Sequence, residues 1–534
     1  MRLIPASVIS AFLILQYGVM TGLQTSTFRA LVMFLLCVAA MCIGRTYDLL
    51  SAMSIAAILL LLENPLYLYD VGFLLSFGAV MGIGLVYPCL IYLIPKRMRR
   101  NKIVQALLIS LSVQLATFPV VLSSFYQIST CGVLLNLVIV PLMTLVLVFG
   151  ILGGLLGTVE LFGVLLLTPC KWILAFYEWI SFQAVRVPGS VWITGKPDWW
   201  RCVVYYVGLI VMLTVLTTIK QRYKYQKCSY MKAVRLTAVC VMLTISIILV
   251  CRNEEEFAIT MLSVGQGECI VLHGENIPTT IIDGGSTDVK DVGKYRVIPY
   301  LKSNRLQRID TVFISHTDTD HISGILEILQ TPESGIHIDR IILPEVRSDL
   351  IDENRVALVG AAGVVGTKVY TMGAGDVFQL EVQGRRLESH SSQEQNSQGQ
   401  QLEFTCLHPY KDAETGDVNE NSMVLLMNYV NLSMLFTGDI SSTVEQELLG
   451  DVPNCDILKV PHHGSQYSSR TAFLEAVNPE LSLISAGRDN SYGHPHQETL
   501  ERLKQNGIRW LRTDECGAIT IETDGTHVWL KTFN

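Results

Sequence analysis

Up to Cys251 this chain is a succession of apolar stretches, each about as long as a bilayer's hydrocarbon core is thick. A helix needs about 20 apolar residues to cross that core, and in hydrocarbon every backbone polar group must be satisfied within the structure. Windows of this kind fall at residues 4–22, 27–44, 47–63, 70–93, 103–124, 130–156, 158–181, 202–219 and 234–251. They predict a polytopic α-helical membrane domain of nine spans over 1–251. The first window has no small-residue cleavage site and runs directly into the next, so it reads as a helix and not a signal peptide. The net charge of −7 and mean hydropathy of +0.39 average two different materials and describe neither.

Two basic clusters orient the spans. Lys96, Arg97, Arg99, Arg100 and Lys102 follow the fourth window, and a loop from Lys220 to Arg235 separates the eighth from the ninth. Positive loops stay cytoplasmic. Four spans lie between the clusters, so both fall on one side. Met1 is then cytoplasmic, and the ninth span delivers Glu254 and everything after it outside. Nine spans exceed what an anchor needs. Asn64, Pro65, Gln114, Thr117, Pro119, Asn136 and Pro141 recur within them. Each alone reads as a packing or kink residue, but together they fit a polar conduit. The chain has no Walker A sequence and supplies no ATP motor.

After residue 252 charged residues, glycine turns and short strands appear together. None of the eleven histidines precedes His273. Six of them fall in three motifs: His316-Thr-Asp318-Thr-Asp320-His321, Pro461-His462-His463-Gly464 and Gly493-His494-Pro495-His496. Thr311–Ser315 reads as a buried strand aimed at His316, and the apolar spacing after His321 is helical. Alternate residues of a strand end project to one side, so His316, Asp318 and Asp320 converge while His321 turns toward a second point. Imidazole with carboxylate suits Zn, Mn or Fe. Strands also lead into Asp439, into His462 and His463, and toward His494 and His496. In isolation Asp439 is as readily a turn aspartate, and the later histidine pairs could be surface or helix-start residues. His273, His337, His390, His408 and His527 stand apart as structural or solvent histidines. The segment from Gly384 to Gln401, rich in Ser, Gln and Glu, reads as a mobile surface loop. No long basic stripe is evident in this half, which speaks against strong DNA affinity there.

The thirteen cysteines include no C-x-x-C pair, which argues against a zinc ribbon or thioredoxin-like site. Nine lie at or before Cys251, mostly as small apolar fillers. Cys269, Cys406, Cys455 and Cys516 fall in the half placed outside the cytoplasm, where one disulfide among them is permitted.

These residues match a known pattern. Ser263-Val-Gly-Gln-Gly-Glu268, Ile282-Asp-Gly-Gly285, Ser315 through His321, Thr437-Gly-Asp439, Leu458-Lys-Val-Pro-His-His-Gly-Ser465 and Gly487 through His496 resemble the metallo-β-lactamase-fold domain of ComEC-family competence proteins. Phe28-Arg-Ala30, Asn64-Pro65, Gly72 through Ala79, Phe118-Pro119, Leu135-Asn136 and Pro141 resemble that family's membrane domain. The resemblance implies an αβ/βα lactamase-type hydrolase over 252–534, fused to a channel for DNA uptake, with the hydrolase degrading the strand that does not enter. It implies one or two divalent ions, Mn or Zn, held by His316, Asp318, Asp320, His321, Asp439 and His462 or His463. Asp439 would bridge, Asp320 would position the attacking water, and His494 or His496 would be a last ligand or a proton donor. DNA, membrane lipid, a DNA receptor and a cytoplasmic ATPase are the partners it implies.

Two departures stand out. Asp318 replaces the middle histidine of the general lactamase-fold motif, which favours a harder metal such as Mn. The resemblance would lead one to expect an N-terminal extension with further spans and an extracellular OB-like domain, so the sequence reads as a truncated form or a start-site fragment. Two other functions fit the residues: a membrane-anchored hydrolase of a small ester, lactone or lipid-linked substrate, and a channel with a metal-free relic domain.

Overall fold

The computed structural model describes residues 3–22, 25–157, 160–222, 231–251, 256–381, 401–410 and 417–533. The chain separates into two compact units, Met1–Arg252 and Asn253–Asn534.

The first unit is helical: α1 Leu3–Met20, α2 Thr25–Ile43, α3 Leu49–Glu63, α4 Val71–Met81, α5 Tyr87–Leu93, α6 Lys102–Phe125, α7 Gly132–Leu156, α8 Glu160–Arg186, α9 Trp199–Arg222 and α10 Met231–Val250. Among the described residues seven candidate spans emerge, with α4 and α5 joined through a π turn at Gly82–Val86 into one. The count of nine is therefore approximate. The 47–63 window becomes a 15-residue helix, closed by Asn64 and Pro65, whose side chain and ring start a separate turn. The first window forms α1, within which Ile9–Met20 is a shorter apolar stretch.

Helix α3 buries Ala52, Ala56 and Leu60, one residue per turn, against Met33, Phe73 and Phe77. The π turn packs on α6, where a Cβ on Gly82 would lie 2.6 Å from the Ser112 carbonyl oxygen, so only glycine permits that approach. Several polar groups find partners within a helix or on another helix. Ser112 Oγ donates to Leu108 O at 2.6 Å, and the Tyr205 and Tyr206 hydroxyls donate to the carbonyls of Leu115 and Ala116.

The second unit is two sheets face to face with helices outside. The eight-stranded sheet runs Lys368–Met372, Arg340–Pro344, Thr311–Phe313, Ile277–Ile282, Ile270–Gly274, Phe257–Met261, Ala518–Thr523, Val528–Phe533. The seven-stranded sheet runs Val377–Glu381, Gln401–His408, Val424–Tyr429, Leu432–Phe436, Ile457–Lys459, Leu481–Ile484, Arg509–Arg512. Phe257, Ile282 and Phe313 from one sheet meet Phe404, Met427 and Phe436 from the other, all buried. Each such side chain contributes about 1.5–3 kcal/mol by leaving water.

The alternation of the outer faces continues the layering. Val424, Leu435 and Leu458 point away from the inter-sheet core and pack against Val444, Leu448, Phe473, Leu474 and Leu503 of the covering helices. The result is the αβ/βα layering of a metallo-β-lactamase fold. In the first sheet Ile277–Ile282, Thr311–Phe313 and Arg340–Pro344 are parallel. Their carboxyl ends therefore open together, and Asp283 and His316 follow two of them. Cys269, Cys406, Cys455 and Cys516 are free thiols here. Of the predicted Gly384–Gln401 loop, 384–400 lie outside the described residues.

Candidate metal centre

Four strand ends and one helix start build the centre. The strand Thr311–Phe313 leads into Ser315 and His316. Asp318 stands at the start of the helix Thr319–Gln330, whose first turn carries Asp320 and His321. Asp283 follows Ile277–Ile282, Asp439 follows Leu432–Phe436, and His462 and His463 follow Ile457–Lys459. The chain passes close beneath the helix start at Gly285, where a Cβ would lie 2.5 Å from the backbone of Asp320.

Asp320, His321, Asp439 and His463 bring one donor atom each to within 4.8 Å of one another, and His316, Asp318 and Asp320 form a second such group. The separations are those of ligands around one ion. Donors at about 2.1 Å from a tetrahedral metal stand about 3.4 Å apart. Here His463 Nε2 lies 3.2 Å from Asp439 Oδ2 and 3.6 Å from Asp320 Oδ2, and His321 Nε2 lies 3.5 Å from Asp439 Oδ1. The Nε2 atoms of His321 and His463 are buried with no hydrogen-bond partner among the described residues. The residues present fit a divalent ion.

The opposite ring nitrogens are fixed. Asp283 Oδ2 lies 2.9 Å from His321 Nδ1, and its carboxylate accepts from the Ser315 N–H and hydroxyl at 2.7 Å each. Having donated its proton to Asp283, the Ser315 hydroxyl accepts from His316 Nδ1 at 3.0 Å. His463 Nδ1 donates to Ser485 O at 3.0 Å. All three rings thus present Nε2 to the centre. His462 and His463 both adopt left-handed backbone (φ 48° and 52°), strain of the kind that accumulates at functional sites. The turn divides them: His463 is buried, whereas His462 is 32% exposed and its Nε2 lies 4.0 Å from Asp439.

Charge is concentrated here. Burial opposes a charge on His463, yet Asp439 and Asp320 push its pKa up to about 9. His321, beside Asp439 and Asp283, is likewise raised against its burial. Asp439 is held well below the carboxylate range because His463, His321 and Lys459 outweigh its desolvation. Burial and His321 push His316 down to about 3. Burial and the neighbouring His463 and His462 push His494 down to about 4.

A cleft of about 300 Å³ opens over the centre, lined among others by Asp318, Asp320, Asp439, His462, His463 and His494. His494 Nδ1 lies 3.2 Å from Gln266 Nε2. His496 does not line this cleft; its Nδ1 accepts from the Gln466 N–H at 3.3 Å. Sequence reasoning assigned no role to Asp283, Gln266, Glu268 or Lys459. Lys459, fully buried, donates to Gly438 O at 2.8 Å, contacts Asp439 Oδ1 at 3.4 Å, and pairs with buried Glu268. It remains charged because Glu268 and Asp439 outweigh its burial. A lysine closing an otherwise apolar strand, two residues before Pro461, was the available signal.

Residues 2–218 match the family described as Competence protein, and residues 262–388 match the metallo-beta-lactamase superfamily. The chain thus carries a competence-protein domain followed by a metallo-beta-lactamase-superfamily domain. The second match takes in Asp283, His316, Asp318, Asp320 and His321 and ends before Asp439. ComE operon protein 3 of Bacillus subtilis (strain 168) is 26% identical over 531 residues, 96% of this chain and 63% of that protein. Competence protein ComA of Neisseria gonorrhoeae is 28% identical over 269 residues, 50% of this chain and 32% of that protein. The chain spans less than two thirds of the length of either. A metallo hydrolase from Ignicoccus hospitalis aligns over 50% of this chain and 100% of its own, at 13% identity and a TM-score of 0.31.

Proposed function

We propose that this chain acts in DNA uptake across the cytoplasmic membrane during natural transformation. Its helical unit passes one strand, and its second unit hydrolyses phosphodiester bonds of the other. The observation that carries the reading is the four-donor group Asp320, His321, Asp439 and His463 in a domain fused to a competence-protein domain. A divalent ion, Mn or Zn, would be held there and would supply a water of lowered pKa and a Lewis acid for a phosphodiester oxygen. Asp439 reaches both histidines through its two oxygens, and Lys459 keeps it ionised. Asp320 faces the cleft and orients the attacking water. His494 is neutral at pH 7 and accepts from Gln266 at Nδ1, so its Nε2–H donates a hydrogen bond to substrate. His316 and Asp318 offer a second ion position.

In this reading the second unit lies outside the cytoplasm. Helices α6, α7, α8 and α9 separate the two basic clusters, so this placement is independent of whether α1 and α3 cross. Pairing of Gln127–Ser129 with Val191–Ile193 supports it, since two crossings, α7 and α8, separate those strands and both then lie on one side. A DNA receptor and a cytoplasmic ATPase are the proposed partners. The test is cleavage of single-stranded and duplex DNA by the purified chain with added Mn²⁺ or Zn²⁺. Metal-dependent cleavage is expected. Ester hydrolysis with no DNA cleavage would overturn it in favour of a small-substrate hydrolase.

A further inference from the structure

The second unit is acidic, with 21 Lys and Arg against 41 Asp and Glu over 253–534. Residues 290–308 reverse that balance: Lys290, Lys294, Arg296, Lys302, Arg305 and Arg308 face a single acid, Asp291. A helical run over 293–303 spaces them. Val292, Val297, Ile298 and Leu301 are buried, while Lys290, Lys294, Arg296 and Arg308 stand exposed. The contrast escapes a scan for contiguous charge because core residues interrupt it.

The fold gives this face a direction. Its upstream neighbour Thr287 lines the metal cleft. Arg308 lies just ahead of the strand Thr311–Phe313, whose far end carries His316. At about 3.3 Å per strand residue the basic face spans about 25 Å, from the metal cleft to the opposite end of the sheet. There a second cleft of about 590 Å³ collects Arg308, His337, Arg340, Lys368 and Tyr370 from four segments. Tyr295 is 59% exposed beside Lys294, whose Nζ sits 5.2 Å from its ring centre. Acids temper the face: Asp339 pairs with Arg308 at 2.6 Å and Asp310 also acts on that guanidinium, Glu327 accepts the Lys294 N–H, and exposed Asp291 lies within the run.

We infer that this face guides a single nucleic-acid strand, leading it between the metal cleft and the distal cleft. Phosphates lie along Lys290, Lys294, Arg296 and Arg308, and a base stacks on Tyr295. Cationic side chains with an exposed aromatic ring are what single strands require. A line of charge beginning at a phosphodiester-cleaving centre suits a polymer better than a planar bilayer. The inference rests on the phosphodiester reading of the centre.

The test uses the full chain in nanodiscs, carrying Asp439→Ala so that the probe survives, and a labelled single-stranded oligonucleotide. Lys294→Gln with Arg296→Gln should lower the salt slope by about 1.4 and the affinity about 25-fold at 0.1 M salt, at 0.7 ion per phosphate contact. Tyr295→Ala should weaken binding with no change of slope. With Asp439 intact, the double variant should raise KM for long strands and leave hydrolysis of bis(p-nitrophenyl) phosphate unchanged. Unchanged affinity and slope, in a chain that still cleaves DNA, overturn the guide and leave the phosphodiester reading standing. Binding that depends on Lys294 and Arg296, without cleavage by the intact chain, supports the guide and sinks that reading. If the variant instead loses only a stabilisation by anionic lipid, the face is a headgroup surface and the guide is overturned.

Discussion

The two units solve opposite problems with the same chain. The helical unit holds 19 Lys and Arg against 6 Asp and Glu over 1–252, the reverse of the acidic second unit. Polar side chains such as Ser112 and Tyr205 bond within a helix or to another helix, and close approach at Gly82 adds to the packing. Without water to expel, helices associate through small residues and dispersion contacts. The second unit buries phenylalanines between two sheets and leaves its ionisable groups at the strand ends, where loops are free to converge. One unit distributes polarity thinly, whereas the other concentrates it at a point. A catalytic centre belongs to the second arrangement, because only there can several charges be oriented by buried partners.

If that division holds, damage to one unit should leave the other intact. The largest effect is expected for Asp439→Ala, which removes the carboxylate shared by both histidines. DNA cleavage should fall about 10³-fold or more, since a bound ion moves the pKa of water from about 15.7 to about 7. Membrane insertion and the helical unit's thermal transition should not change. A matching loss of the helical transition would break the comparison.

Asp283→Asn tests the anchoring of His321 without touching the cleft. Metal affinity, read by titration calorimetry, should drop about 10–100-fold. An unchanged affinity would mean that Ser315 alone fixes the ring.

On the other side of the comparison stands Asn136→Leu, which removes the bond from Nδ2 to Ser110 Oγ at 3.1 Å. Uptake of labelled DNA into cells should fall several-fold while cleavage by the purified chain is spared. Equal loss of both would tie the units together.

The smallest effect concerns stability. Burial pushes Glu445 up to about 7, against the backbone N–H groups of Arg470 and Ser469 that favour its charge. Its folded pKa exceeds the ordinary value of 4.5, so the stability it contributes is complete below that value and lost as pH rises through 7. Glu445→Gln should therefore melt a few degrees higher than the parent at pH 8, with the gap closing toward pH 5. A gap that widens on acidification would reverse the assignment.

The contiguous run from His316 to His321 is readable because strand and helix geometry aim neighbouring residues with no help from elsewhere. Asp283 and Ser485 were not readable as ring anchors. An aspartate or a serine carbonyl becomes one only when another strand arrives beside it. The distal basic cleft was missed for a related reason, since Arg340 and Lys368 join Arg308 only through strand pairing.

The sequence alone determined that the chain has two materials, where they meet, and which residue types could hold a metal, because hydropathy and donor chemistry are properties of residues. The tertiary structure decided between neighbours. His463 points into the centre while His462 is partly exposed, and His494 lines the cleft while His496 accepts from Gln466. Adjacent side chains in a turn diverge, and which one faces inward is fixed by distant partners, here Ser485 O for His463 and Gln266 for His494.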